Sequence, residues 1–108
     1  MYAEFKEQGI DEIYVASVND GFVMNAWKDA LGIKNVRVIP DGNGELAESL
    51  GMLIDMTAIG FGRRSRRFAA VVNNGSIEKM FVEPESTPTN GDPYSESSPE
   101  NVMRYLRD

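Results

Sequence analysis

The chain has 108 residues, a formal net charge of −6, and neither cysteine nor histidine. It therefore offers no disulfide, thiol nucleophile, zinc-thiolate site or imidazole acid-base group of its own. Hydrophobic residues at 42% and charged ones at 26% are the balance of a folding chain, and this length holds one small domain, residues 1–108. No apolar run approaches the roughly 18 residues of a membrane span, and Met1-Tyr2-Ala3-Glu4-Phe5-Lys6 lacks the basic-then-apolar order of a signal peptide, so a cytoplasmic protein is expected.

In chain order, residues 2–8 read as the tail of a helix with Tyr2 and Phe5 on one side and Gly9 ending it. The continuous apolar run Ile13 to Val18 has strand length and predicts burial on both faces. Phe22, Val23, Ala26, Trp27, Ala30 and Leu31 recur at helical spacing, with Asn19 or Asp20 as the cap and Gly32 as the stop. Trp27 is assigned to packing of that helix. Val36, Val38 and Ile39 form a second strand before the turn Pro40-Asp41-Gly42-Asn43-Gly44. Strand, helix, strand in this order implies a parallel pair with a right-handed crossover.

Glu45 to Leu50 reads as a short helix closed by Gly51, and Met52 to Gly62, apolar without a period, as a loop with at most a brief strand. Arg67 to Asn73 and Ile77 to Val82 flank Asn74-Gly75, whose tolerance of positive φ predicts an antiparallel hairpin. Glu83 to Ser98, rich in proline, reads as a long irregular connection. Ser98-Pro99-Glu100 then starts a helix with Val102, Met103 and Leu106 inward. The sum, β-α-β-α, a β-hairpin and a final helix, is an α/β class fold: a partial thioredoxin-like domain. In that arrangement a further strand and helix precede Ile13, so the chain is expected to begin inside its domain.

Against the acidic background stand four arginines, Arg63, Arg64, Arg66 and Arg67, at the edge of the strand-like run Phe68 to Val72. Three readings are open: a solvated charged turn, a phosphate or nucleic-acid patch, or one active-site arginine with three neighbours of other purpose. The net charge disfavours nucleic acid, which needs a basic face over many phosphates.

The segments Asp11-Glu12-Ile13, Ser17-Val18-Asn19-Asp20, Phe22 to Trp27, Pro40 to Glu45 and Phe61-Gly62-Arg63-Arg64-Ser65-Arg66-Arg67-Phe68 resemble, in order and over nearly the whole chain, the type 5 peroxiredoxins. The tail Glu83-Pro84-Glu85 and Gly91-Asp92-Pro93 is most similar to bacterial members, some of which continue into a glutaredoxin domain. The resemblance implies a thiol-dependent peroxidase for hydrogen peroxide and alkyl hydroperoxides, a homodimer without cofactor or metal. A thiol reductant, glutaredoxin, thioredoxin or glutathione, would serve the full-length parent.

The family's Pro-x-x-x-Thr-x-x-Cys motif is absent here. The chain alone is thus expected to be inactive, a truncated enzyme. By its place directly before the aromatic residue that opens a strand, Arg67 matches the family's catalytic arginine, which stabilises the thiolate and donates to the peroxide oxygens. Phe61 matches the aromatic residue at the site mouth and dimer interface. Arg64 is expected to pair with a carboxylate near that contact or the site rim, and Arg63 and Arg66 to face water. Asn19 and Asp20 are assigned to capping, and the six methionines to core filling. The alternative is a non-catalytic peroxiredoxin-like module that binds an anion or a partner protein through the arginine cluster.

Overall fold

A computed structural model describes residues 2–84 and 94–108, which fall into two units, Tyr2–Ser65 and Arg66–Asp108. In the first, helix α1 (Tyr2–Glu7) stops at Gly9, whose φ of 88° is readily open only to a residue without Cβ. Strands β1 (Tyr14–Ser17) and β2 (Arg37–Pro40) pair in parallel, Tyr14 opposite Arg37 and Ser17 opposite Pro40. Helix α2 (Gly21–Ala30) makes the crossover between them and packs on β2. Asp20 is its cap: Oδ1 accepts from the Val23 N–H at 2.8 Å.

After β2 the turn is organised by Asp41, whose carboxylate accepts from the N–H groups of Leu46 at 3.0 Å and Ala47 at 2.9 Å. These are first-turn donors of helix α3 (Glu45–Ser49), so Asp41 supplies the capping acceptor that Gly44, at the N-cap itself, cannot. Gly44 has φ 73°, and a Cβ there would come within 3.0 Å of Leu53 Cδ1. Conformation and close approach both favour glycine.

The segment from Met52 to Gly62, expected as a loop with at most a brief strand, holds a four-residue strand and a turn, and that strand has an unexpected partner. Strands β3 (Leu53–Met56) and β4 (Gly62–Ser65) run antiparallel, Leu53 opposite Ser65 and Met56 opposite Gly62, around a single 3-10 turn at Thr57–Ile59. The reversal is made by polar contacts that periodicity does not register: the Asp55 carboxylate accepts from the Thr57 N–H at 2.9 Å and from the Thr57 hydroxyl. Gly60 at φ 80° then admits the left-handed step.

Two burial expectations also need correction. Tyr14 and Ala16 of β1 are exposed, so the strand is not covered on both faces. On α2 the buried residue is Met24, while Phe22 is 91% exposed and Trp27 and Leu31 also face solvent. A two-stranded sheet is too narrow to cover the whole apolar sector of that helix. Met24, Ala47 and Met52 are the buried apolar residues of this unit.

In the second unit, β5 (Phe68–Asn73) and β6 (Ser76–Val82) form the expected hairpin. Asn74 at φ 53° and Gly75 at φ 81° fill its turn, and the register shifts between Val71 and Val72. Helix α4 (Pro99–Arg107) is capped by Ser98, whose Oγ accepts from the Asn101 N–H at 3.2 Å. Met103 is the buried member of the expected inward stripe, with Val102 and Leu106 half-buried. Tyr105 meets Phe81 edge to face at 5.6 Å between ring centroids. Val71, Phe81 and Met103 are buried here. Of the long connection expected from Glu83 to Ser98, residues 85–93 lie outside the described residues.

Candidate functional site

The arginine cluster divides between the units. Arg63 and Arg64 belong to β4, where strand alternation sends neighbouring side chains to opposite faces. Arg63 is exposed and its charge helps to depress the Asp55 carboxyl, after the larger effect of the hydrogen bonds from Thr57. Among the described residues Arg64 pairs with carbonyls and not with a carboxylate. Its Nε donates to the Phe61 carbonyl and its Nη1 to the Val18 carbonyl, each at 2.8 Å, so the guanidinium ties β4 to the end of β1. Strand and turn ends leave carbonyls without ladder partners, and a guanidinium satisfies two at once. Phe61 is 57% exposed.

Arg66 and Arg67 open the second unit just before β5. Arg66 was expected to face water, yet it is half-buried and its Nη2 donates to the Glu83 carbonyl at 2.9 Å. The Glu83 N–H in turn donates to the Arg67 carbonyl at 3.0 Å, one step beyond the ladder that pairs Phe68 with Val82. Arg67 is exposed, and its guanidinium carbon lies 4.9 Å from the centroid of the Tyr94 ring.

Glu83 is the most buried large side chain of the described residues, at 1% exposure. Its Oε2 accepts three hydrogen bonds: from the Ser95 N–H at 2.8 Å and from the Ser97 N–H and Oγ, each at 2.7 Å. Burial raises the carboxyl pKa, but these donors outweigh it and hold the group at about 2, below the usual 4.5. Glu83 thus stays ionised and closes the chain from β6 onto the turn before α4.

Sequence reasoning assigned Glu83, Tyr94 and Ser97 no part in the site. One signal was available. Strand alternation puts Glu83 on the same side as Phe81, and both are buried. The donors come from residues 12 and 14 positions later in the chain, which no local pattern announces. Among the described residues no three carboxylates gather into a metal-ligand set, and no helix is long and apolar enough to cross a membrane.

Comparison with known proteins gives this geometry a family. The Redoxin family model matches residues 1–100. A peroxiredoxin of Rhizobium etli is 52% identical over 109 residues, covering 99% of this chain and 60% of the relative. The hybrid peroxiredoxin hyPrx5 of Haemophilus influenzae is 49% identical over 102 residues, covering 94% of this chain and 41% of its own length. The crystal structure of reduced Prx3 from Vibrio vulnificus in complex with hydrogen peroxide aligns with a TM-score of 0.87 at 31% identity, over 98% of this chain and 62% of that one. The chain thus spans three-fifths or less of the two curated relatives it matches here. The partial thioredoxin-like α/β arrangement expected from the element order agrees with these neighbours. The chain belongs to the redoxin family and, within it, to the peroxiredoxins.

Proposed function

We propose that this chain supplies the arginine-bearing part of a thiol-dependent peroxidase, acting on hydrogen peroxide and alkyl hydroperoxides with a cysteine thiolate that its own 108 residues do not contain. In that reaction the thiolate attacks one peroxide oxygen, the O–O bond breaks, and the other oxygen leaves as water or alcohol once protonated. The resulting sulfenic acid condenses with a reductant thiol and releases water, and a second thiol frees the cysteine as a disulfide forms on the reductant. Arg67 stabilises the thiolate and donates to the oxygens as charge grows on the leaving one. A lysine lacks the planar donor fork for this role.

The observation that carries this reading is the seating of the Arg67 guanidinium on the Tyr94 ring at the entrance to β5. The likeness to a Prx3 whose crystal structure holds hydrogen peroxide supports the substrate class. Exposure of Phe61 supports a place for it at the site mouth or a homodimer contact, with Arg64 bracing the same turn through the Phe61 carbonyl. Residues 1–108 act as one domain in this reading, in the cytoplasm, where glutaredoxin, thioredoxin and glutathione stay reduced. A non-catalytic anion-binding module is the weaker reading, because Arg64 and Arg66 already spend donors on main-chain carbonyls.

The test is peroxide consumption with each of the three reductants. The 108-residue chain alone should show none. The same chain joined to an upstream segment that carries Pro-x-x-x-Thr-x-x-Cys should turn over, and Arg67→Lys should slow that turnover by roughly a hundredfold or more, the scale of losing one preorganised donor set. Robust turnover by the chain alone, or none after the cysteine is supplied, would sink the proposal.

A further inference from the structure

Glu83 reaches Arg67 by two routes. Its main-chain N–H donates to the Arg67 carbonyl at 3.0 Å, which places the backbone of the arginine. Its carboxylate accepts from the Ser95 N–H at 2.8 Å, and that amide is the one that follows Tyr94. The Ser97 N–H and hydroxyl converge on the same oxygen at 2.7 Å each. The turn that carries Tyr94 is thereby fastened to the end of β6, and the Tyr94 ring lies 4.9 Å from the Arg67 guanidinium carbon. All of these groups lie in the unit Arg66–Asp108.

We infer that Glu83 and Tyr94 are positioning residues for the Arg67 guanidinium: Glu83 clamps the turn, and the clamped Tyr94 ring becomes a platform that fixes the arginine's orientation. The inference rests on the reading of Arg67 as the group that acts on the peroxide, and it names what orients that group. A ring face beneath an exposed arginine narrows its rotamers, and a fork that must meet a thiolate and a peroxide gains from being held. A ring face suits this purpose because it attracts the cation through its π-electrons and engages none of the N–H donors. An exposure of only 1% explains why the clamp is a carboxylate: three donors aimed at one desolvated oxygen need an ionised acceptor.

The test reads the Arg67 side chain directly, by NMR of the full 108-residue chain. In the unsubstituted protein the Arg67 δ-protons and Nε–H should be displaced upfield by the ring current of Tyr94. Tyr94→Leu should abolish the displacement and Tyr94→Phe should keep it, because the ring face and not the hydroxyl does the holding. Glu83→Ala should remove it while the β5–β6 cross-strand contacts persist. Glu83→Gln should leave a reduced displacement, since its amide oxygen can occupy the place of Oε2. Should Glu83→Ala fail to fold, Ser97→Ala, which removes one of the three donors, is expected to diminish the displacement in a folded chain. Arg67 signals indifferent to Tyr94→Leu, or to the folded clamp variants, overturn the inference. This readout needs no cysteine, so it stands apart from the peroxidase test: a protein inactive after cysteine is supplied can still show the ring-current shift, and an active one can lack it.

Discussion

The carboxylate of Glu83 and the Ser97 residue meet twice on one oxygen, N–H and hydroxyl each 2.7 Å from Oε2. A buried charge thus links a strand end to the turn before the last helix. The consequences can be measured.

Acid should weaken this clamp. Glu83 is held at about 2 in the folded chain and titrates near 4.5 when unfolded, so its contribution is fully present above 4.5. It declines as the pH falls from there toward 2. Urea denaturation of the native chain at stepped pH should show stability dropping through that window. Glu83→Gln should be less stable at pH 7 and show a shallower acid slope. Asp55, also depressed by its Thr57 hydrogen bonds, adds a similar slope in both proteins, so the difference between them isolates Glu83.

Capping, not acid-base chemistry, is the purpose of Asp20. Asp20→Ala removes the acceptor of the Val23 N–H and should cost about 1 kcal/mol, with Asp20→Asn recovering most of it. Equilibrium unfolding followed by circular dichroism separates the two variants. A loss far larger than a cap can account for would contradict the assignment.

The neighbours Arg63 and Arg64 should behave differently. Arg64→Ala leaves the carbonyls of Val18 and Phe61 without their charged donor and should destabilise by roughly 1–2 kcal/mol, allowing for partial exposure. Arg63→Ala, at an exposed position, should change stability by no more than about 0.5 kcal/mol. Thermal melts of the two variants, side by side, provide the check.

The uncovered sector of α2 should make the chain self-associate. Phe22, Trp27 and Leu31 all present apolar surface to solvent, and burying each is worth about 1.5–3 kcal/mol. Sedimentation velocity at rising concentration should reveal larger species, and Phe22→Ser with Leu31→Ser should suppress them without loss of helix. A concentrated chain that remains monomeric would refute this.

Local chemistry carried much of the fold into the sequence. Asn74-Gly75 announced the hairpin because few other residues accept its φ values, Ser98-Pro99 announced α4, and Asp20 announced the start of α2. The β3–β4 pair stayed hidden because its reversal depends on the Asp55–Thr57 contacts and on Gly60, while its strands have neither alternation nor helical period. The stripe of α2 was legible as a pattern but not as a direction, since periodicity identifies an apolar sector and says nothing of how much of it a neighbour covers.

The candidate site divides along the same line. The chain order and the arginine before Phe68 pointed to Arg67, and the lack of cysteine in these residues was plain from composition. What surrounds that arginine was decided by tertiary structure alone. Arg64 and Arg66 went to carbonyls because strand ends left those acceptors unsatisfied, and Glu83 reached Ser95 and Ser97 because folding brought distant donors onto one buried oxygen. Residue type states what a side chain can bind; only the folded chain sets which partners lie within 3 Å of it.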